Sequence, residues 1–338
     1  MRKALGVAAV CCALFLAAGG AGLYAVLRSV EAPLAVSEPS ALFEVPSGTS
    51  LREVAQMLAK RRIFAHPRLF VVYARLKGDA TRIHAGEYEL DAGLNARGLL
   101  EKLVAGQVYL HHFTVIEGWR FEDLLRALRA DPAIASTGLD GKGIMTRLGQ
   151  PNLEPEGEFF PDTYKFPRGT TDVEFLSRAF DAMQRHLAAA WQARDADLSL
   201  KSPYDALILA SIIEKETALA NERRKISGVF NGRLKRGMRL QTDPTVIYGL
   251  GDGFDGDLRT RDLQKDTPYN TYTHAGLPPT PIALPSEASL AAAVHPDDTD
   301  GALYFVATGL PDGSHYFSKT LAEHDAAVRR YLERTSNR

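Results

Sequence analysis

The chain has 338 residues and a nearly balanced charge, with 40 Lys and Arg side chains against 41 Asp and Glu side chains. This length is enough for two domains and a membrane anchor. The balanced charge, without a basic tract, argues against nucleic acid as a partner. Both cysteines, Cys11 and Cys12, lie in an N-terminal apolar run, which excludes a disulfide or a cysteine-based metal site in the rest of the chain.

The N-terminal apolar run predicts a single transmembrane helix within residues 1–30. Residues 4–27 carry no charge, Arg2 and Lys3 precede them, and Arg28 follows. A stretch of about 20 apolar residues crosses a bilayer, and the positive N-terminus is expected to stay in the cytoplasm. A cleaved signal peptide is the alternative, because residues 17–21 are small. The apolar run continues to Leu27, which favours an uncleaved anchor with the bulk of the chain outside the cytoplasm.

Two segments of the first half, residues 43–55 and 113–125, match at an offset of 70 residues. Each is typical of a short strand, a glycine turn and an amphipathic helix. A glycine readily adopts the positive φ that such a turn often needs. We therefore expect Gly48 and Gly118 to lie in tight strand-to-helix turns of two similarly built substructures.

The first copy also resembles the opening of a LysM module, a small fold that binds glycans containing N-acetylglucosamine. The resemblance covers about a dozen residues around the Gly48 turn, and a generic strand-turn-helix is the alternative. Residues 130–157 are richer in Gly, Pro and Asp, which is typical of a domain boundary. The expected fold class is α+β, with a LysM-like and linking α+β region over residues 31–150 and an α+β catalytic domain over residues 151–338.

A helix beginning at Pro203 is the most informative element of the second half. Ser202 is a good N-cap, and apolar residues from Leu207 to Ile213 cover nearly every side, which predicts a helix buried all round. Helical spacing puts Glu214 on the stripe of Ala210, Ser211 and Ala218, and puts Glu216 on the opposite side. A carboxyl group among small and apolar residues suits a general acid. The alternative is a helix that leaves the core, with residues 214–216 as its first solvated turn.

Three further strings carry side chains suited to sugars: residues 156–164, 240–243 and 269–272. Aromatic rings beside acids stack on sugar faces, and short polar groups in extended backbone before Pro244 suit hydroxyl or N-acetyl contacts. Including neighbours of Glu214, the candidate substrate-binding residues are Ser211, Glu216, Gln241, Thr242, Asp243, Tyr269, Asn270, Tyr272, Glu158 and Asp162.

The series over residues 156–324 resembles the bacterial endolytic murein transglycosylase family, the YceG-like proteins. The strings that carry the resemblance are residues 156–164, 209–217, 221–224, 229–234, 238–249, 267–273, 276–279 and 315–318. The resemblance implies that Glu214, the first glutamate of the string at residues 210–217, is the single catalytic acid. It implies an inner-membrane lyase that cleaves the bond between N-acetylmuramic acid and N-acetylglucosamine inside peptidoglycan strands, leaves 1,6-anhydro ends and terminates strand elongation. The implied partners are glycan strands, the inner membrane and peptidoglycan synthases (penicillin-binding proteins), without nucleic acid. No cofactor and no metal are expected.

The chain departs from this family in one loop, where Thr280 and Ser286 stand in place of the usual glycines and Leu284 replaces a polar residue. If those glycines serve positive φ, the loop must turn differently here. Two other functions stay open from the residues alone. One is a muramidase-type hydrolase of the same bond, and the other is a non-catalytic scaffold that binds peptidoglycan and positions synthases.

Overall fold

The computed structural model describes residues 2–36 and 39–336, and these form an α+β fold, as expected. The chain divides into two compact units: the chain up to His111 together with Lys165–Gly169, and the remainder. The division at residue 111 precedes the boundary predicted at residues 150–151, which lies inside the second unit. The assignment of an anchor, a LysM-like region and a catalytic domain to residues 1–30, 31–150 and 151–338 stays a prediction.

The first unit begins with helix α1, Arg2–Glu31. Its segment Val10–Glu31 has a mean hydropathy of 2.1 and is long and apolar enough to cross a membrane. The end of α1 packs into the core of the first unit, where Val26 and Val30 are buried. The elements that follow are β1 (Ser40–Val45), α2 (Leu51–Lys60), α3 (Pro67–Lys77), β2 (Gly86–Asp91) and α4 (Ala96–Ala105).

Strands β1 and β2 pair antiparallel, with Phe43 opposite Tyr88, and both rings are fully buried. Helix α2 begins at a capping box, in which the Glu53 N–H donates to Ser50 Oγ and the Ser50 N–H donates to the Glu53 carboxylate. Gly48, between the strand and the helix, has φ of +80°. The strand, turn and helix predicted for the first copy are confirmed.

The second unit contains the second copy and all later helices. Strands β3 (Leu110–Thr114) and β5 (Thr163–Pro167) straddle the division between the units. The elements that lie wholly within the unit are α5 (Phe121–Ala130), β4 (Ile134–Ala135), α6 (Gly141–Arg147), β6 (Thr170–Thr171), α7 (Asp172–Ala193), α8 (Pro203–Glu216), α9 (Arg223–Lys235), α10 (Asp243–Leu250), α11 (Thr260–Leu263), α12 (Glu287–Val294), β7 (Tyr304–Ala307), β8 (His315–Ser318) and α13 (Leu321–Ser336). Gly118, between β3 and α5, has φ of +75°, which confirms the repeat.

Helix α8 is the centre of the second unit's core. Its residues from Ala206 to Ile213 are all buried, and α12 packs along it, with α7, α9 and α10 also in contact. Ser202 caps the helix by accepting the Asp205 N–H at 3.1 Å. Each fully buried Leu or Ile contributes about 1.5–3 kcal/mol, so burial of this helix contributes strongly to the stability of the second unit. The prediction of a helix buried all round is confirmed.

A glycine allows α9 to approach the segment that follows α12. A Cβ atom built on Gly228 would lie 2.3 Å from Asp297 O and 2.7 Å from Thr299 Cγ2, and the first of these is backbone. On the same helix, a Cβ on Gly232 would meet only the flexible ends of Leu303 and Arg236, at 3.3 and 3.4 Å.

We expect Gly228→Ala to lower the free energy of unfolding by about 1–3 kcal/mol, because the added methyl group must push backbone aside. Gly232→Ala is the matched control: it gains about 1 kcal/mol of helix propensity against a small side-chain adjustment. Denaturant unfolding of the full-length protein in detergent measures both. Equal stability of the two variants would contradict the close approach.

Candidate active site

The carboxyl group of Glu214 is held through one of its two oxygens. Oε2 accepts the Ser286 N–H at 2.9 Å, the Ser286 hydroxyl at 2.5 Å and the Ser289 hydroxyl at 2.7 Å. Among the residues that the structure describes, Oε1 has no hydrogen-bond partner. The side chain is half-buried and lines a cleft. One oxygen therefore positions the carboxyl group, and the other is available to a substrate.

The donors come from the beginning of α12. Ser286 is its N-cap, with φ of −70°, and its Oγ also accepts the Ser289 N–H at 3.2 Å. Neither Ser286 nor Thr280 adopts the positive φ considered for a family glycine. The sequence did not reveal Ser286 and Ser289 as partners of Glu214. A serine before Glu287 does predict an N-cap, but not which carboxylate it meets.

The cleft beside Glu214 has a volume of about 860 Å³, and it is lined by Thr114, Val115, Ile116, Glu117, Gly118, Pro161, Asp162, Thr163, Glu214, Lys215, Glu216, Thr217, Ala218 and Arg223. The turn of the second copy forms one wall. Gly118 N–H donates to Leu284 O at 2.8 Å, Leu284 N–H donates to Trp119 O at 2.8 Å, and Lys215 Nζ donates to Gly118 O at 3.2 Å. A Cβ on Gly118 would lie 3.9 Å from Glu214 Cγ. The turn therefore lies close beside the Glu214 side chain.

Two details of the predicted stripe are wrong. Helix α8 ends at Glu216, because Thr217 is already extended, with φ of −146° and ψ of 136°. Ala218 therefore lies beyond the helix and cannot continue the stripe of Glu214. The wall around the Glu214 carboxyl group is also polar on one side, since the serines of α12 contact it, and not only small and apolar as expected.

Glu216 points to different partners, as predicted. Its Oε1 accepts a hydrogen bond from the Thr242 hydroxyl, and Arg233 and Asp243 lie nearby. Burial raises the pKa of Glu216 to about 7, Asp243 adds to the rise, and Thr242 and Arg233 oppose it. Glu216 lines the cleft of Glu214 and also a second cleft of about 500 Å³.

The second cleft contains Gln241, Asp243 and Tyr272 as well as Glu216. Tyr272 OH donates to Asp243 Oδ1 at 2.6 Å. Gln241 has φ of +50°, and its Oε1 accepts from Arg233 at 3.4 Å. The structure therefore brings four predicted residues together on the side of Glu216, and it places Asp162 in the cleft of Glu214.

The remaining predicted residues lie mainly in the interior. Ser211 is buried and joins α8 to the loop before α12, because its Oγ accepts the Ile282 N–H at 3.0 Å. Asn270 is fully buried, and its Nδ2 donates to Leu263 O and Lys265 O at 3.0 and 2.7 Å. Tyr269 OH meets Thr280 Oγ1 at 2.8 Å in a third cleft of about 570 Å³. Whether any of these three contacts substrate stays a prediction.

Three other glutamates of the second unit are buried. Glu158 accepts from Gln184 at 2.9 Å, and burial raises its pKa to about 7. The pKa of Glu156 is raised to about 7 by the same cause, although the Phe121 N–H and the Tyr248 hydroxyl donate to it. Glu222 accepts from the His315 N–H at 3.0 Å and lies 2.7 Å from His315 Nδ1. Among the described residues, no group of three or more His, Cys, Asp and Glu side chains could hold a metal ion.

Comparisons with known proteins agree on one family. The sequence profile of the YceG-like family matches residues 43–330. An endolytic murein transglycosylase of Bacillus subtilis is 33% identical over 93% of this chain and 91% of its own length. One from Streptococcus pneumoniae is 26% identical over 96% of this chain, which spans 64% of the relative. A YceG-like protein of Listeria monocytogenes, solved by crystallography, has a TM-score of 0.52 and 27% identity, covering 86% of this chain and 99% of that one.

The serines of α12 can be tested without disturbing its cap. We expect Ser286→Gly and Ser289→Ala each to lower kcat on the substrate of Glu214 by about twofold to tenfold, because each removes a hydrogen bond that positions the carboxyl group and is worth about 0.5–1.5 kcal/mol. Glycine at an N-cap costs only a few tenths of a kcal/mol, so melting temperatures should change little for Ser286→Gly. Unchanged kcat in both variants would contradict the positioning role.

The buried Glu158 makes stability depend on pH. Its folded pKa of about 7 lies above the ordinary value of 4.5, so the folded chain binds this proton more tightly than the unfolded chain. The contribution of that proton to stability is complete below pH 4.5 and is lost as the pH rises through 7.

We therefore expect Glu158→Gln to gain up to about 3 kcal/mol of unfolding free energy relative to wild type between pH 5 and pH 8. The other carboxyl groups act equally in both proteins and cancel in the comparison. Denaturant unfolding at the two pH values measures the difference. A gap that does not change with pH would show that Glu158 ionises normally.

Proposed function

Because the chain belongs to the YceG-like family, we propose that it is a membrane-anchored endolytic lytic transglycosylase of peptidoglycan. Its substrate would be the bond between N-acetylmuramic acid and N-acetylglucosamine inside nascent strands, and its action would end strand elongation. The names of the relatives support a lytic transglycosylase role. The observation that carries the proposal is the position of the Glu214 carboxyl group. The serines of α12 hold one of its oxygens, and the side chain lines a cleft.

In this mechanism Glu214 acts first as an acid and then as a base. Its proton goes to the glycosidic oxygen, and the bond between that oxygen and C1 of N-acetylmuramic acid breaks. The C6 hydroxyl of the same sugar attacks C1, and the ionised Glu214 takes the proton of that hydroxyl. A 1,6-anhydro end and a free 4-hydroxyl result. The intramolecular nucleophile replaces the second carboxylate that most glycosidases need, so one acid suffices, without metal or cofactor.

The N-terminal helix supports a location in the inner membrane. Val10–Glu31 is long enough to span the bilayer once, and Arg2 and Lys3 favour a cytoplasmic N-terminus, which leaves the catalytic unit in the periplasm. Glycan binding by the LysM-like region and contact with peptidoglycan synthases belong to the same proposal. The β1-α2-α3-β2 order, with its antiparallel strand pair, supports a small glycan-binding module.

Two other functions predict different products from the same assay. The full-length protein in detergent is incubated with purified peptidoglycan, and the released ends are identified by mass. Anhydro ends support the transglycosylase. Normal reducing ends would mean that water replaces the C6 hydroxyl, as in a muramidase, and no release would favour a non-catalytic scaffold. Internal cleavage is recognised by a fall in strand length without release of single disaccharides.

We expect Glu214→Gln to lower the rate of anhydro-end formation by at least about 10²–10⁴, because the amide cannot transfer a proton. The amide oxygen still accepts from Ser286 and Ser289, so the fold should survive. Glu216→Gln should cost much less, since its carboxyl group turns to Thr242 and not to the serines of α12.

The comparison of these two variants, with melting temperatures measured alongside, is the decisive one. The substitutions have the same chemistry and lie two residues apart at the end of α8. Equal losses in both would mean that the two carboxyl groups share the reaction. Full activity of Glu214→Gln would remove the mechanism.

A further inference from the structure

One basic side chain of the Glu214 cleft lacks a partner. Arg223 lines the cleft, and its Nε is buried without a hydrogen bond to any described residue. Its guanidinium group likewise makes no ion pair within the part of the chain that the structure describes. An unpaired polar atom that is buried away from water costs free energy. The terminal nitrogens of this guanidinium group, which are not buried in this way, are therefore available to an acceptor in the cleft.

The position of Arg223 favours an anion. It is the first residue of α9, a helix of 13 residues, and the N-terminal end of a helix carries partial positive charge. Lys215 lines the same cleft, and its ammonium group donates to a neutral carbonyl, Gly118 O. The planar guanidinium fork matches a carboxylate through two parallel hydrogen bonds.

Peptidoglycan supplies such an anion next to the scissile bond, because N-acetylmuramic acid carries a peptide stem with free carboxylates. Resting on the proposed function, we propose that Arg223 binds a stem-peptide carboxylate while Glu214 acts on the attached sugar. Arg223 is then a substrate-binding residue that makes the enzyme prefer strands with charged stems. The cleft also contains the carboxyl groups of Glu117, Asp162, Glu214 and Glu216, which disfavour a carboxylate elsewhere along it and so add to the selectivity.

The test uses uncross-linked glycan strands in two forms, with free stem carboxylates and with the same carboxylates amidated. The full-length protein in detergent is assayed for anhydro ends on both. We expect amidation to lower wild-type kcat/KM by about tenfold or more, since a charge-assisted pair is lost. Arg223→Gln should show a similar loss on free strands and no further loss on amidated ones. The kcat/KM of Arg223→Lys on free strands should lie between those of wild type and Arg223→Gln, because lysine keeps the charge but cannot form two parallel hydrogen bonds.

Arg224→Gln is the matched control, with the same chemistry at the next position. Arg224 pairs with Asp297 at 3.0 Å and donates to His295 O at 2.8 Å, away from the cleft, so this variant should keep the wild-type response to amidation. Melting temperatures exclude unfolding as the cause of a loss.

Three results would overturn the assignment. Arg223→Gln could leave both rates unchanged, or it could lower both by the same factor, which would mean a general role in the fold. Wild type could also cleave both strands at the same rate, which would mean that Arg223 binds no stem carboxylate. In each case wild type still forms anhydro ends and the proposed function stands. Absence of anhydro ends from both strands would instead remove the proposed function, and this assignment with it.

Discussion

One carboxylate oxygen joins the two helices on which the site depends. Oε2 of Glu214, at the end of α8, accepts three hydrogen bonds from the beginning of α12. The core sets the position of both helices, since α8 is buried all round and α12 packs along it. The carboxyl group is therefore placed before substrate arrives, which is the form of preorganisation that makes a single acid effective.

Burial of a carboxyl group does not by itself mark a catalytic residue in this protein. Glu156, Glu158 and Glu216 each have a pKa raised to about 7 by burial. Both oxygens of Glu156 accept hydrogen bonds, and Glu158 lies in the interior with an exposed fraction of 1%. Structural groups perturb their pKa values as readily as catalytic ones. Glu216 lines the same cleft, and what distinguishes Glu214 is that three donors from the beginning of α12 hold one of its oxygens.

The sequence predicts those features that depend on local patterns. The all-round apolar composition of α8 and its Ser202 cap identify a buried helix, and the 70-residue offset identifies two matching turns. The contacts of Glu214 lie 72 and 75 residues further along the chain, so no local spacing encodes them. Asn270 shows the same limit. Its polar side chain next to tyrosines suggests sugar binding, yet in the structure its amide closes its own loop. Whether a polar side chain faces a ligand or its own backbone is decided by tertiary packing.

The two copies of the strand-turn-helix have the same backbone conformation at their glycine, but only the second copy lies beside Glu214. Both Gly48 and Gly118 have positive φ, so the turn requires glycine in each copy for the same reason. A Cβ on Gly48 would meet no described atom within 4 Å, whereas one on Gly118 would lie 3.9 Å from Glu214 Cγ and 3.8 Å from Lys215 Cδ. The positive φ is therefore a property of the repeated turn, and the approach to the acid belongs to the second copy alone.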